Sequence, residues 1–117
     1  SLTFLDLEGA EAGKRWKKLA ARALKRAKTF EIHCWSEEPE AVSLALEYGE
    51  RRATGWAYGV VVTGPVTPAF EKMVLGQPAG LEDHWTPFFN LNLDGSFFSS
   101  HWGRELSCCP ELLEDGE

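Results

Sequence analysis

The sequence predicts an α+β fold: a two-layer sandwich in which a mixed sheet of about four strands carries helices mainly on one face, in the order α-β-α-β-α-β-β. Three observations predict it. Residues 8–28 repeat apolar side chains at helical spacing. Residues 29–35 and 56–63 have the β-branched and aromatic make-up of strands. Asp94-Gly95 then sits between two alternating runs as a strong two-residue hairpin signal.

The elements follow in order. Residues 2–7 are short and apolar, and read equally as an edge strand or a frayed arm. In 8–28, Trp16, Leu19, Ala20, Ala23, Leu24 and Ala27 fall on a single stripe of an α-helix whose other side is nearly all Lys and Arg. Residues 29–35, TFEIHCW, alternate with the strand period, so that Phe30, Ile32 and Cys34 point one way and Glu31, His33 and Trp35 the other. Ser36, followed by Glu37, Glu38 and Pro39, reads as a helix start with a hydroxyl cap, and this helix ends between Gly49 and Gly55 with Arg51 and Arg52 near its C-terminus. Residues 56–63, WAYGVVVT, read as a buried strand. Strand, helix, strand over 30–63 therefore predicts a right-handed crossover joining a parallel pair. Thr67-Pro68 opens a short helix that Gly76 stops, residues 77–86 read as a loop, and an acidic tail closes the chain.

The hairpin can be read further. With Asp94 and Gly95 as the two loop residues of a type I′ turn, Leu93 faces Ser96, Asn92 faces Phe97 and Leu91 faces Phe98, outward to Phe88 opposite His101. Parity then sends Phe89, Leu91, Leu93, Phe98 and Trp102, with Ser96 and Ser100, to the core. Phe88, Asn90, Asn92, Phe97, Ser99 and His101 go to the other face.

At 117 residues the chain is expected to form a single domain, 1–117, with loose ends at 1–7 and 110–117. No run approaches the roughly 18 apolar residues of a membrane span, and the start lacks the basic-then-apolar pattern of a signal peptide. Three cysteines, Cys34, Cys108 and the adjacent Cys109, are an odd number ill suited to disulfides, which points to a reducing, cytoplasmic location. The net charge of −6 is segregated: Lys14 to Lys28 hold eight cations and no acid, so this segment carries +8 and leaves −14 for the remainder.

If the helices share one side, the other sheet face is open and carries Glu31, His33, Trp35, Phe88, Asn90, Asn92, Phe97, Ser99 and His101. Rings mixed with a few orienting polar groups make a binding surface. The function expected is thus a non-catalytic, intracellular protein-protein interaction module of the inhibitor or immunity kind, with another protein or a second copy as partner and neither cofactor nor metal. A small enzyme or ligand-binding domain in which His33, His101 and Glu31 line a pocket is the alternative. A third reading is nucleic-acid binding through the basic helix face of Lys14, Arg15, Lys18, Arg22, Lys25 and Arg26. It ranks lower because the acidic remainder would repel phosphates. No catalytic or metal-ligating motif is present, since no HExxH, CxxC, GxSxG or phosphate loop occurs.

Overall fold

The computed structural model describes residues 1–78 and 83–113. Among these residues there are seven strands, β1 (Thr3–Asp6), β2 (Thr29–Trp35), β3 (Glu50–Arg52), β4 (Gly59–Pro65), β5 (Asn90–Leu93), β6 (Phe97–Ser100) and β7 (Glu105–Cys108). The helices are α1 (Ala12–Arg26), α2 (Pro39–Leu46) and α3 (Pro68–Gly76), followed by a 3-10 turn at Pro110–Leu112. The strands form one sheet in the order β1-β7-β6-β5-β2-β4-β3, and every neighbouring pair is antiparallel. The class is α+β, but the expected mixed sheet of about four strands is corrected to seven strands without a parallel pair.

The three added strands are β1, β3 and β7, and it is β3 that removes the parallel pair. Glu50-Arg51-Arg52 is exposed at every residue and wholly charged, so no alternation betrays a strand. Because β3 lies antiparallel to β4 and β4 antiparallel to β2, β3 runs in the same direction as β2. The crossover through α2 therefore lands on β3, two positions away, and β4 folds back between them. Missing one three-residue strand reverses the direction assigned to the next.

All three helices pack on the face that carries Phe30, Ile32 and Cys34. Trp16 of α1 is fully buried and donates its indole N–H to Ser99 Oγ at 3.0 Å. Phe70 of α3 stacks on Phe30 at 4.0 Å between ring centroids, and α2 buries Ala41 and Ala45 over β2 and β4. Thr67 caps α3 as expected, accepting the Phe70 N–H at 3.1 Å. Ser36 does not cap α2: its N–H pairs with the Tyr58 carbonyl, and Glu38 stands at the cap position without a side-chain bond to the helix's own N–H groups. The N-terminal segment takes the edge-strand option, pairing with β7, while Leu112 of the 3-10 turn is buried and its carbonyl accepts from Arg22 of α1 at 2.8 Å. Residues 79–82 of the expected loop and 114–117 of the acidic tail lie outside the described residues.

The hairpin bends where expected, but its register is one residue off. Asp94 and Gly95 have φ of 53° and 74°, and Ser96 N–H donates to the Leu93 carbonyl at 3.1 Å, the pattern of a tight two-residue reversal. The ladder nevertheless pairs Leu93 with Phe97, Asn92 with Phe98 and Leu91 with Ser99, leaving Ser96 as an extra residue. Its carbonyl is taken instead by the Cys109 N–H at 2.8 Å. The slip inverts β6: Phe97 and Ser99 are buried, and Phe98 and Ser100 are half-buried on the opposite face. Asn90 and Asn92 keep their expected side on β5. Before β5 the alternation breaks, so that Phe88 is buried and Phe89 reaches the uncovered face. Phe88, Phe97 and Ser99 are thus core residues, and Phe89 and Phe98 stand in their places.

Candidate functional site: the uncovered sheet face

The register arranges the uncovered face in rows that cross the sheet. One row is polar, with Arg52 on β3, Val61 on β4, His33 on β2, Asn90 on β5, Ser100 on β6, Glu105 on β7 and Asp6 on β1. A neighbouring row holds Glu50, Thr63, Glu31, Asn92, Phe98, Ser107 and Phe4. The third, at the Trp35 end of β2, is aromatic.

That aromatic row is a chain of rings in contact. Trp56 meets Trp35 at 5.0 Å, Trp35 meets Phe89 at 4.9 Å, Phe89 meets Trp102 at 4.8 Å, and His84 stacks flat on Trp102 at 4.3 Å. His101 adds its edge to Phe89 at 5.5 Å. Such pairs contribute about 0.5–1.5 kcal/mol each beyond the area they bury. Trp56 belongs to the β3–β4 loop, and glycine at position 59 lets it lie on the sheet: a Cβ there would come within 2.1 Å of the indole ring. Trp102 is fixed at its polar end, its indole N–H shared between the two carboxylate oxygens of Glu38 at 3.3 and 3.2 Å. Both His101 and Trp102 have positive φ, so the chain turns sharply here and strand parity stops applying.

Beside the rings runs a closed polar chain. Arg52 Nη1 donates to Glu31 Oε1 at 2.9 Å, Glu31 Oε2 meets His33 Nε2 at 2.6 Å, and Asn90 Nδ2 lies 3.0 Å from His33 Nδ1. An amide N–H can only donate, so His33 Nδ1 accepts, and the ring proton sits on Nε2 and goes to Glu31. The edges of Trp56 and Phe98 flank the imidazole at 6.4 and 6.5 Å. Partial burial pushes the Glu31 carboxyl up, but the His33 hydrogen bond and the Arg52 charge together outweigh it and hold the group below the usual carboxylate range.

The structure thus brings together Glu31, His33 and Asn90, and sets Trp35 among the rings. His101 does not join His33 and Glu31; its Nδ1 lies 3.3 Å from Glu105 instead. The pocket expected to hold all three does not form. A shallow groove of about 520 Å³ does reach Glu31, with Arg52, Thr29, Thr63, Asn92 and Asp94 around it, but neither histidine lines it. With both ring nitrogens bonded inside the protein, His33 has none left to take a proton from a substrate. Cys34 faces the helices, and burial, with the Glu38 charge beside it, pushes its thiol up to about 12. Among the described residues no group of three metal-ligating side chains converges.

The basic face of α1 lies on the far layer. Lys14, Lys18, Lys25 and Arg26 are exposed, Arg15 and Arg22 half-buried. Lys14 pairs with Glu11 at 3.7 Å, Arg22 holds the Leu112 carbonyl, and Arg26 lies 3.9 Å from Cys109 Sγ. Among the described residues no helix is long and apolar enough to cross a membrane. Fold and face together define an open-faced antiparallel α+β sandwich whose uncovered side is aromatic and acidic. No family model, curated protein or solved structure matches the chain.

Proposed function

We propose that the protein is a non-catalytic interaction module that binds another protein through the uncovered face of its sheet. One observation carries this reading: Trp56, Trp35, Phe89 and Trp102 form an unbroken, half-buried ring chain on a face that none of the described helices covers. Part-exposed tryptophan and phenylalanine beside a few fixed polar groups are the composition of interface centres. The bonding of both His33 ring nitrogens inside the protein supports a role in holding the face together, and Cys34, buried under the helices, does not reach it. Three thiols without a disulfide among them favour a reducing, cytoplasmic setting.

The test is capture from the native cell extract by the wild-type chain, by a Trp35→Ala/Phe89→Ala variant and by a Lys17→Glu/Lys25→Glu variant. A protein retained by the wild type and the helix variant but lost with the ring variant supports the reading. Retention that survives loss of the rings and disappears on charge reversal of α1 refutes it.

A further inference from the structure

We infer that the occupant of the uncovered face is a basic protein surface that presents arginine side chains to the tryptophan row. This rests on the docking reading above and names the chemistry of its partner. The face is charged as well as aromatic. Among the described strand residues, the register places Asp6, Glu31, Glu50 and Glu105 on it against a single cation, Arg52. Arg52 is committed to Glu31. Glu105 touches only the half-exposed His101, and among the described residues no ion pair reaches Asp6 or Glu50. The acids therefore stand on both edge regions of the sheet, in the two polar rows beside the ring row at the Trp35 end.

The cations that could neutralise this face are elsewhere. Eight of the twelve Lys and Arg residues fall between Lys14 and Lys28, on and just after α1, in the layer on the other side of the sheet. A helix is about 10 Å across, so the outer side of α1 lies beyond the roughly 8 Å over which charges are felt in physiological salt. The uncovered face consequently attracts cations in spite of the basic helix.

Arginine suits this face better than lysine. Its guanidinium is flat and weakly hydrated, and it can lie on an indole ring while its N–H groups reach a carboxylate. An ammonium keeps its water and offers no plane. The competing occupant, a second copy docking through its own α1, would present five lysines and three arginines. It would also join unlike surfaces, so it would build rings or filaments rather than a symmetric pair, a state that sedimentation reads directly.

The experiment titrates the full ¹⁵N-labelled chain with octa-arginine, octa-lysine and octa-glutamate, reading the indole N–H signals of all five tryptophans. Trp16, which is buried, and Trp85, which donates to the Leu7 carbonyl, serve as internal references. The expected result is that octa-arginine moves the Trp35, Trp56 and Trp102 signals and binds roughly three- to fivefold more tightly than octa-lysine, the gain of a cation–π contact. An Asp6→Lys/Glu50→Lys/Glu105→Lys variant, altered only at the margins, should lose that binding at low salt while keeping its fold.

Equal affinity for the two cationic peptides, or shifts confined to residues off this face, overturns the inference. So does salt-sensitive self-association in sedimentation that the same triple variant abolishes. If any of these occurs while capture from extract still depends on Trp35 and Phe89, the chemistry named here is wrong and the docking face stands.

Discussion

Phe97 and Phe98 are adjacent and chemically identical, yet the register places them on opposite faces, and their truncation measures that register directly. Phe97 is completely buried, with its ring edge-on to Trp16 at 5.9 Å and 71°. Phe97→Ala removes a closed-core ring and leaves a cavity, for about 3–5 kcal/mol. Phe98 is half-buried beside His33, so only part of a phenylalanine's burial energy is at stake, about 1 kcal/mol. With a urea slope of roughly 1.5 kcal/mol per molar for a domain of this size, the midpoint should fall by about 2–3 M for Phe97→Ala and by less than about 1 M for Phe98→Ala. Circular dichroism across a urea series reads both values. Equal losses, or a larger loss at Phe98, would show that the extra residue at Ser96 is misplaced and that the rows drawn across the uncovered face are wrong.

Two further outcomes follow from local chemistry. Asp94 ties the hairpin tip to the start of β2, accepting the Lys28 N–H at 2.6 Å, the Thr29 N–H at 3.2 Å and the Thr29 hydroxyl. The Thr29 hydroxyl and the Lys28 amide hold its carboxyl below the usual range. A depressed carboxylate contributes stability that is complete above its ordinary pKa of about 4 and is lost as pH falls through the lower folded value. Asp94→Asn tolerates the positive φ but weakens these bonds, so it should cost about 1–2 kcal/mol at neutral pH and flatten the acid limb of a melting-temperature profile; an unchanged limb would refute the assignment. Among the thiols, Cys34, raised to about 12, and the buried Cys108 should resist a disulfide reagent at pH 8 until the chain unfolds, while the part-exposed Cys109 reacts in the native state. Fast labelling of Cys34 would contradict its place under α2.

Much of this fold is legible in the residues, and the failures have identifiable causes. Alternation sufficed for β2, where all seven residues sort as expected, because its ladder on both sides is regular. The stripe from Trp16 to Leu24 gave α1 and its buried face. Asp94-Gly95 located the reversal, but nothing local distinguishes a hairpin that pairs Ser96 from one that sets it aside. The choice is made at long range, by the Cys109 N–H that takes the Ser96 carbonyl and by the Trp16 indole that needs the Ser99 hydroxyl inside. β3 was invisible because an edge of three charged residues has no apolar period to detect. Trp56, Phe89 and Trp102 escaped for a different reason: a loop ring lying over Gly59, a break in alternation before Asn90 and a left-handed turn at His101 each suspend the rule that sorts side chains by parity.

The linked side chains of Arg52, Glu31, His33 and Asn90 also bear on how tightly this protein can hold anything. Fixing a rotamer-rich side chain during association costs about 0.5–1.5 kcal/mol, and here each such group is already pinned by its neighbour. That entropy loss is incurred when the chain folds, before any docking of the kind proposed. A partner docking as proposed would meet a preorganised platform and be spared that part of the cost, leaving the loss of its own translational and rotational freedom as the main entropic term.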